Sequence, residues 1–483
     1  MNTGLDFWTI FSLLFLVTAI PVAVMIILEK RSPYKTVAWI LVLILIPILG
    51  LFFYLIFGQE YRKRKLYSRK GVKSLGEFRK LSSKQLRKID QTHFSFNGKR
   101  LKNENIIRLL LNNSNALLTT GNQLKILNNG NETFQAIFQA IKNAKHHVHL
   151  EYYIFSDDKI GNQLKNLLIE KSLERVEIRI IIDDDGSWGL RKKFISELQE
   201  NGIEIYSFME VRFPRLTARV NFRNHRKILI VDGEIGFTGG INIADRYIEG
   251  IKGIGRWRDT HLQIEGDAVA CLQVVFAADW YFVINENLAG RKYFPALTEK
   301  DGVPVQISAG GPDSDWENIG QAFFAAITSA KNKVYIVTPY LMPPLNIISA
   351  LKIAALSSVD VRILIPEKSD AIIPKWSSFS YVEEFLEAGI KIYFYQPGFI
   401  HSKYLIVDDL FSSIGTTNFD FRSLETNFEV NAFIYHEHFT RTLEKHFIAD
   451  LQNSSEIKLV EWKKRPWHYK LRESMAHIVS PLL

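Results

Sequence analysis

Two histidines in this 483-residue chain stand in the same frame. His225 is followed by Lys227, Asp232, Gly239 and Asn242, and His401 by Lys403, Asp408, Gly415 and Asn418. Each frame reads His-x-Lys-x4-Asp-x6-Gly-x2-Asn. At ordinary residue frequencies five fixed positions coincide on the order of once in ten million starting points, so two copies mark a duplicated chemical device. Side chains alternate by face along a strand, so a one-residue gap aims each histidine and its lysine the same way. Two copies set face to face surround one cavity with two imidazoles, two ammonium groups and two carboxamides. That set suits a phosphodiester. Lys227 and Lys403 neutralise its non-bridging oxygens, and Asn242 and Asn418 donate hydrogen bonds to them. One imidazole attacks phosphorus; the other protonates the departing alcohol and later deprotonates the incoming one. The spacing leaves the two histidines symmetric in these roles.

A nucleophilic imidazole needs its second nitrogen held by an acceptor. Asp232 and Asp408 belong to the expected catalytic set with the histidines and lysines, their main role being to hold the geometry of their motifs. A carboxylate further along each half is therefore the expected orienting partner: Asp259 after His225, and Glu429 after His401. The competing reading pairs Asp259 with Arg258 or Arg256 at the surface. No metal site is expected. His146, His147 and His149 at the start of a strand, and Asp183 to Asp185 after another, read as solvated strand ends.

The elements that must position these groups repeat as well. An Ala-Ile-x-x-Ala-Lys helix end leads into an apolar strand at Val148 and again at Val334, and a second apolar strand begins at Val176 and again at Val359. The offset between copies drifts from 186 to 183 to 176 at the motif, as duplication with altered loops would leave it. Strands alternating with helices, several apolar along most of their length, predict an α/β fold of two tandem domains. The expected boundaries are 106–295 and 296–483, with Gly310 to Asp313 a turn-rich connection rather than a phosphate cradle.

Ahead of them lie two uncharged apolar runs, about 7–28 and 37–57, within an expected transmembrane hairpin over 1–58. Pro21 and Pro47 should kink the spans. A basic flank (Arg62, Lys63, Arg64, Lys65, Arg69, Lys70, Lys73) outweighs the connector's Lys30, Arg31 and Lys35, which favours a cytoplasmic body. Residues 59–105 are expected to be that flank and a polar linker or collar. The terminal Trp462–Lys470 stretch, rich in Trp, Tyr, Lys and Arg, fits either a membrane interface or a helix closing the domain. The net charge of +9 suits an anionic partner, and a single cysteine, Cys271, excludes an internal disulfide framework.

The paired motifs resemble those of the phospholipase D superfamily. The resemblance narrows to bacterial cardiolipin synthases through Arg31-Ser32-Pro33, Asn221–Lys227, Trp257–His261, Gly415–Glu429 and the terminal Ser480-Pro481-Leu482-Leu483. It implies two phospholipase D-like domains with mixed sheets flanked by helices, a covalent phosphohistidine intermediate and no cofactor or metal. It also implies His225 as nucleophile and His401 as general acid and base. The implied reaction moves a phosphatidyl group from one phosphatidylglycerol to the glycerol headgroup of another, in the cell membrane. Hydrolysis by the same residues, or transfer to another acceptor, is the alternative, and phosphatidylethanolamine stays open as the second substrate. A tethered nuclease lacks a nucleic-acid module, and a non-catalytic lipid binder would need a broken motif. Gly240 and Thr416 stand where the superfamily often has serine. The sequence assigns no oligomeric state.

Overall fold

The computed structural model describes residues 7–28, 33–57, 73–92, 95–96, 99–100, 103–209, 222–295 and 302–480. The basic flank Arg62–Lys70, the connector's Lys30 and Arg31, Asn221, the boundary near Ala296 and residues 481–483 lie outside them. The chain divides into one unit of residues 1–68 with 211–222, and a second of 69–210 with 223–483.

In the first unit, Phe7–Leu28 is one uncharged 22-residue helix with Pro21 inside it. The second apolar run is not one helix. It forms Pro33–Leu45 and Pro47–Phe57, broken at Ile46. Proline at the first position of a helix loses no internal bond, whereas a continuous helix would lose one there. The two pieces fold back on each other. Trp39 meets Tyr54 edge to face at 5.4 Å, and a Cβ on Gly50 would lie 2.6 Å from the Val42 carbonyl. Ile26, Leu43 and Tyr54, one from each helix, share a small core. Taken over the described residues, no helix is long and apolar enough to cross a membrane.

The second unit carries one mixed sheet of 15 strands. In its first half His147–Tyr152, Glu177–Asp183 and Glu204–Phe208 pair in parallel, linked by helices Lys159–Leu173 and Lys192–Glu200. On the other side of His147–Tyr152 the chain turns antiparallel through the motif hairpin, Lys227–Val231 and Ile235–Gly239, then Thr260–Glu265 and Leu118–Asn128. The second half repeats this with Lys333–Val337, Asp360–Pro366 and Lys391–Tyr395 in parallel. Its motif hairpin is Tyr404–Val407 and Phe411–Gly415, followed by Glu429–Ile434 and Val303–Gly310. The halves join where Val305 pairs with Thr119 and Gln306 with Leu118.

Both motif strands are buried along their whole length, which is why they read as unbroken apolar runs. Residues 73–92, expected in the linker or collar, form a helix that docks on the body. Ser82 donates to the Leu111 carbonyl at 2.8 Å, and the Gln85 amide exchanges two bonds with the Leu118 backbone.

Candidate active site

Each motif histidine sits just before its strand, in backbone that pairs with the opposite half. Asn224 bridges to Phe428, and the His225 amide donates to the Phe428 carbonyl at 2.9 Å. Gly398–Ile400 runs parallel to Arg256–Arg258, and the His401 amide donates to the Arg258 carbonyl at 2.7 Å. The next residue on each supporting segment is a carboxylate, Glu429 in one case and Asp259 in the other. The orienting contacts are therefore crossed. His225 Nδ1 lies 2.9 and 3.1 Å from the Glu429 oxygens, and His401 Nδ1 lies 2.7 Å from Asp259 Oδ2.

This corrects the expected pairing within each half. The downstream carboxylates do return to the centre, but beside the partner motif, because parallel pairing between halves places them there. The surface reading of Asp259 also fails: Asp259 is fully buried, and Arg258 pairs with Asp450 at 2.9 Å. A carboxylate at Nδ1 favours the tautomer with hydrogen on that nitrogen and leaves Nε2 as the lone-pair nitrogen. Both imidazoles line one cleft of roughly 350 Å3, together with Asn242, Asn418, Arg246 and Arg422.

The lysines stay beside their histidines, as their spacing required. Lys227 Nζ donates to the His225 carbonyl at 2.7 Å, and Lys403 Nζ to that of His401 at 2.5 Å. Burial pushes Lys227 down to about 7 and Lys403 to about 8; Lys403 lowers Lys227 further, while Asp259 and Glu429 pull Lys403 back up. Both histidines are held well below 6.5, first by burial and then by the lysine of their own motif. Glu429 is pushed up to about 8 by burial against the pull of Lys227. Asp259 is raised by burial and drawn back by Lys403. An anion arriving among these groups stabilises the ammonium forms that burial has penalised.

The motif aspartates lie elsewhere. Asp232 accepts from the backbone amides of Lys145, His146 and His147, each within 2.9 Å. Asp408 does the same for Lys331, Asn332 and Lys333. Both take a positive φ, 55° and 51°, to close the strand end onto the turn that starts the neighbouring strand. The motif asparagines are partly engaged. Asn242 accepts from the Ile154 amide at 3.1 Å and donates to the Tyr247 hydroxyl. Asn418 donates to Asp420 Oδ2 at 2.9 Å.

The His and Asp clusters are only in part solvated strand ends: His146 and Asp185 are exposed. His147, His149 and Asp183 are buried. His149 stacks on Phe276 and bonds Gln273 at 3.0 Å. Asp183 accepts from the amides of Asp185, Gly186 and Asn224, and so fixes the segment leading to His225. The Asn224 side-chain carboxamide donates to Glu151 at 2.6 Å, and Arg226 pairs with buried Asp279 while donating to the Glu429 and Gly310 carbonyls. Gly310 thus belongs to this scaffold. Among the described residues no group of three or more His, Cys, Asp or Glu has metal-binding geometry.

Sequence reasoning passed over Arg246 and Arg422, although the signal was present. Each stands four residues beyond its motif asparagine, in Asn242-Ile-Ala-Asp-Arg246 and Asn418-Phe-Asp-Phe-Arg422. Two guanidinium groups in the cleft raise its affinity for phosphate further.

A family model described as the phospholipase D-like domain of cardiolipin synthase matches residues 137–280 and 323–451, the two halves of this sheet. The chain belongs to the cardiolipin synthase family. A model described as a phospholipase D-nuclease amino-terminal segment matches residues 4–59 of this member. Curated relatives named cardiolipin synthase include that of Halalkalibacterium halodurans, 42% identical over 100% of this chain and 97% of the relative. One from a Geobacillus species is 44% identical over 98% of this chain and 93% of the relative. Among solved structures, phosphatidylserine synthase of Haemophilus influenzae superposes with a TM-score of 0.62 at 15% identity. That match covers 78% of this chain and 100% of the other, a likeness of fold.

Proposed function

We propose that this chain is a cardiolipin synthase working as a phosphatidyltransferase on phosphatidylglycerol. The observation that carries the reading is the single cleft in which two histidines are each oriented by a carboxylate of the opposite half. In the first step His225 Nε2 attacks phosphorus. A P–N bond forms, the P–O bond to glycerol breaks, and His401, which enters this step as the imidazolium, gives its Nε2 proton to the departing glycerol oxygen. In the second step His401 takes the proton from the glycerol hydroxyl of a second phosphatidylglycerol. That oxygen attacks, the P–N bond breaks, and cardiolipin leaves. Lys227, Lys403, Asn242 and Asn418 bind the non-bridging oxygens, with Arg246 and Arg422 at the same phosphates. Glu429 and Asp259 are positioning residues: each fixes an imidazole tautomer and stabilises the imidazolium while it carries a proton.

The two phospholipase D-like domains are assigned to 106–295 and 296–483, after a hairpin over 1–58 and a flank over 59–105. The hairpin is proposed to lie in the cell membrane, with the body on the cytoplasmic side. What supports the hairpin is that Phe7–Leu28 carries no charge over its 22 residues and that residues 4–59 match the amino-terminal segment model. In the two-pass arrangement the broken run 33–57 must straighten at Ile46.

Purified full-length protein in phosphatidylglycerol vesicles should release one glycerol for each cardiolipin formed. Phosphatidic acid in place of cardiolipin would make it a hydrolase, and no lipid product at all would remove the reading.

A further inference from the structure

The terminal helix Trp467–Val479 carries two apolar sides. Its inner side packs on the body: Tyr469 meets Trp376 at 5.9 Å, and Glu473 and Ala476 are buried. Trp467, Leu471, Met475 and Ile478 recur at helical spacing on the opposite side, and they are 74%, 48%, 62% and 77% exposed. A helix closing a domain needs only one apolar face, so the second stripe is unexplained by packing.

The stripe continues towards the cleft. Trp376 lies against Tyr469 and the Arg472 guanidinium, and Ser380 bonds His477 at 3.0 Å. The helix Ile372–Ser380 therefore runs alongside the terminal helix in the same direction. Its first residues, Ile372 and Ile373, stand at the same end as Trp467, and they are 75% and 53% exposed. Their neighbours Asp370 and Pro374 line the catalytic cleft. Cations flank the patch: Lys368, Lys464 and Arg472 are exposed. Exposed aliphatic side chains and a tryptophan edged by lysine and arginine are the chemistry of the boundary between lipid headgroups and acyl chains.

We propose that this patch inserts into the headgroup boundary of an anionic bilayer. It seats the mouth of the cleft on the membrane, so that a lipid phosphate reaches the histidines while its acyl chains stay in the bilayer. This membrane contact belongs to the catalytic body itself and is additional to the amino-terminal hairpin. It rests on the reading of the substrate as a membrane phospholipid.

The test uses the full chain in vesicles. A polarity-sensitive fluorophore is attached at Met475→Cys, at Leu471→Cys in a second variant, and at the exposed Leu173→Cys as a control; Cys271 is buried. With phosphatidylglycerol-containing vesicles, the labels at 475 and 471 should shift to the blue and be quenched by bromine on the acyl chains. The label at 173 should stay water-like. Labels at 475 and 471 that remain water-like would overturn the proposal. So would labels shielded without lipid quenching, as in contact with a second copy. A Leu471→Ser, Met475→Ser, Ile478→Ser triple variant should lose several-fold more rate on bilayers than on monomeric short-chain phosphatidylglycerol. Equal loss on both also counts against the patch. Quenching reads insertion alone, so a protein that inserts but makes no cardiolipin separates failure of the functional reading from failure of this one.

Discussion

The two halves of the sheet carry one motif frame, yet they solve the same local problem with different atoms. In the second half the residue after the motif glycine is Thr416, and its hydroxyl donates to Glu429. In the first it is Gly240, and a Cβ there would fall 2.0 Å from Asp259 Oδ1. The shorter carboxylate lies against bare backbone; the longer one is capped by a hydroxyl. The surroundings of the rings differ too. His401 is walled by Trp257, Tyr247 and Phe399, whereas Tyr153 stands edge-on to His225 at 5.1 Å. Duplication supplied two equivalent imidazoles, and the later differences lie in what holds each one. Because each holder comes from the other half, neither half contains a complete catalytic histidine.

Removing an imidazole tests that dependence most severely. His225→Ala and His401→Ala should each cut transfer by at least about 10^3-fold in vesicle assays, since nucleophile and acid–base roles cannot be shared. Near-normal synthesis by either variant would break the shared site. Next come the holders. Asp259→Asn and Glu429→Gln should fold normally and lose roughly 10- to 100-fold in kcat, the usual range for groups that orient a catalytic imidazole. Gly240→Ala should match Asp259→Asn, because the new methyl group must displace the carboxylate. Thr416→Val, which removes only a hydroxyl, should cost less than either; equal costs would mean that the difference between halves has no consequence.

The pH profile reads the lysines of both halves together. They are cationic below about 7 for Lys227 and about 8 for Lys403, and neutral above. A neutral amine does not neutralise phosphate, so kcat/KM should fall as pH rises through that window. With phosphate bound both values rise, so kcat should fall only at higher pH. A kcat/KM that stays level through pH 9 would remove the lysines from phosphate binding. The smallest catalytic effect belongs to the motif aspartates. Asp232→Ala and Asp408→Ala each strand three backbone amides, and should cost about 1–3 kcal/mol of stability while leaving kcat nearly unchanged. Thermal unfolding beside a rate assay separates the two.

The α/β class, the burial of both faces and the His, Lys, Asp and Asn positions of the paired motifs were legible because each is written locally. A single-residue gap fixes a face, and an unbroken apolar run fixes burial. Glu429 and Asp259 were legible as candidates, but their crossing was not. It depends on parallel pairing of residues 398–400 with 256–258, far apart in the chain and without a local signature. Asp183, the first of the aspartate triplet, misled for a related reason. Polar residues after a strand usually meet water, and here the amide of Asn224 occupies that place. The second apolar run also read as one span, since hydropathy does not register the break that Pro47 allows.

The crossing is open to direct measurement with a phosphatidyl ester of p-nitrophenol, whose departure needs no acid. His401→Ala should release a stoichiometric burst of nitrophenol and hold the phosphatidyl group on His225, while His225→Ala should give no burst. Asp259→Asn should then behave as a weakened His401→Ala, with its burst intact and its turnover slow. Glu429→Gln should behave as a weakened His225→Ala, with the burst itself slowed. The reverse assignment, with the burst kept by Glu429→Gln and lost by Asp259→Asn, would contradict a site in which each half orients the histidine of the other.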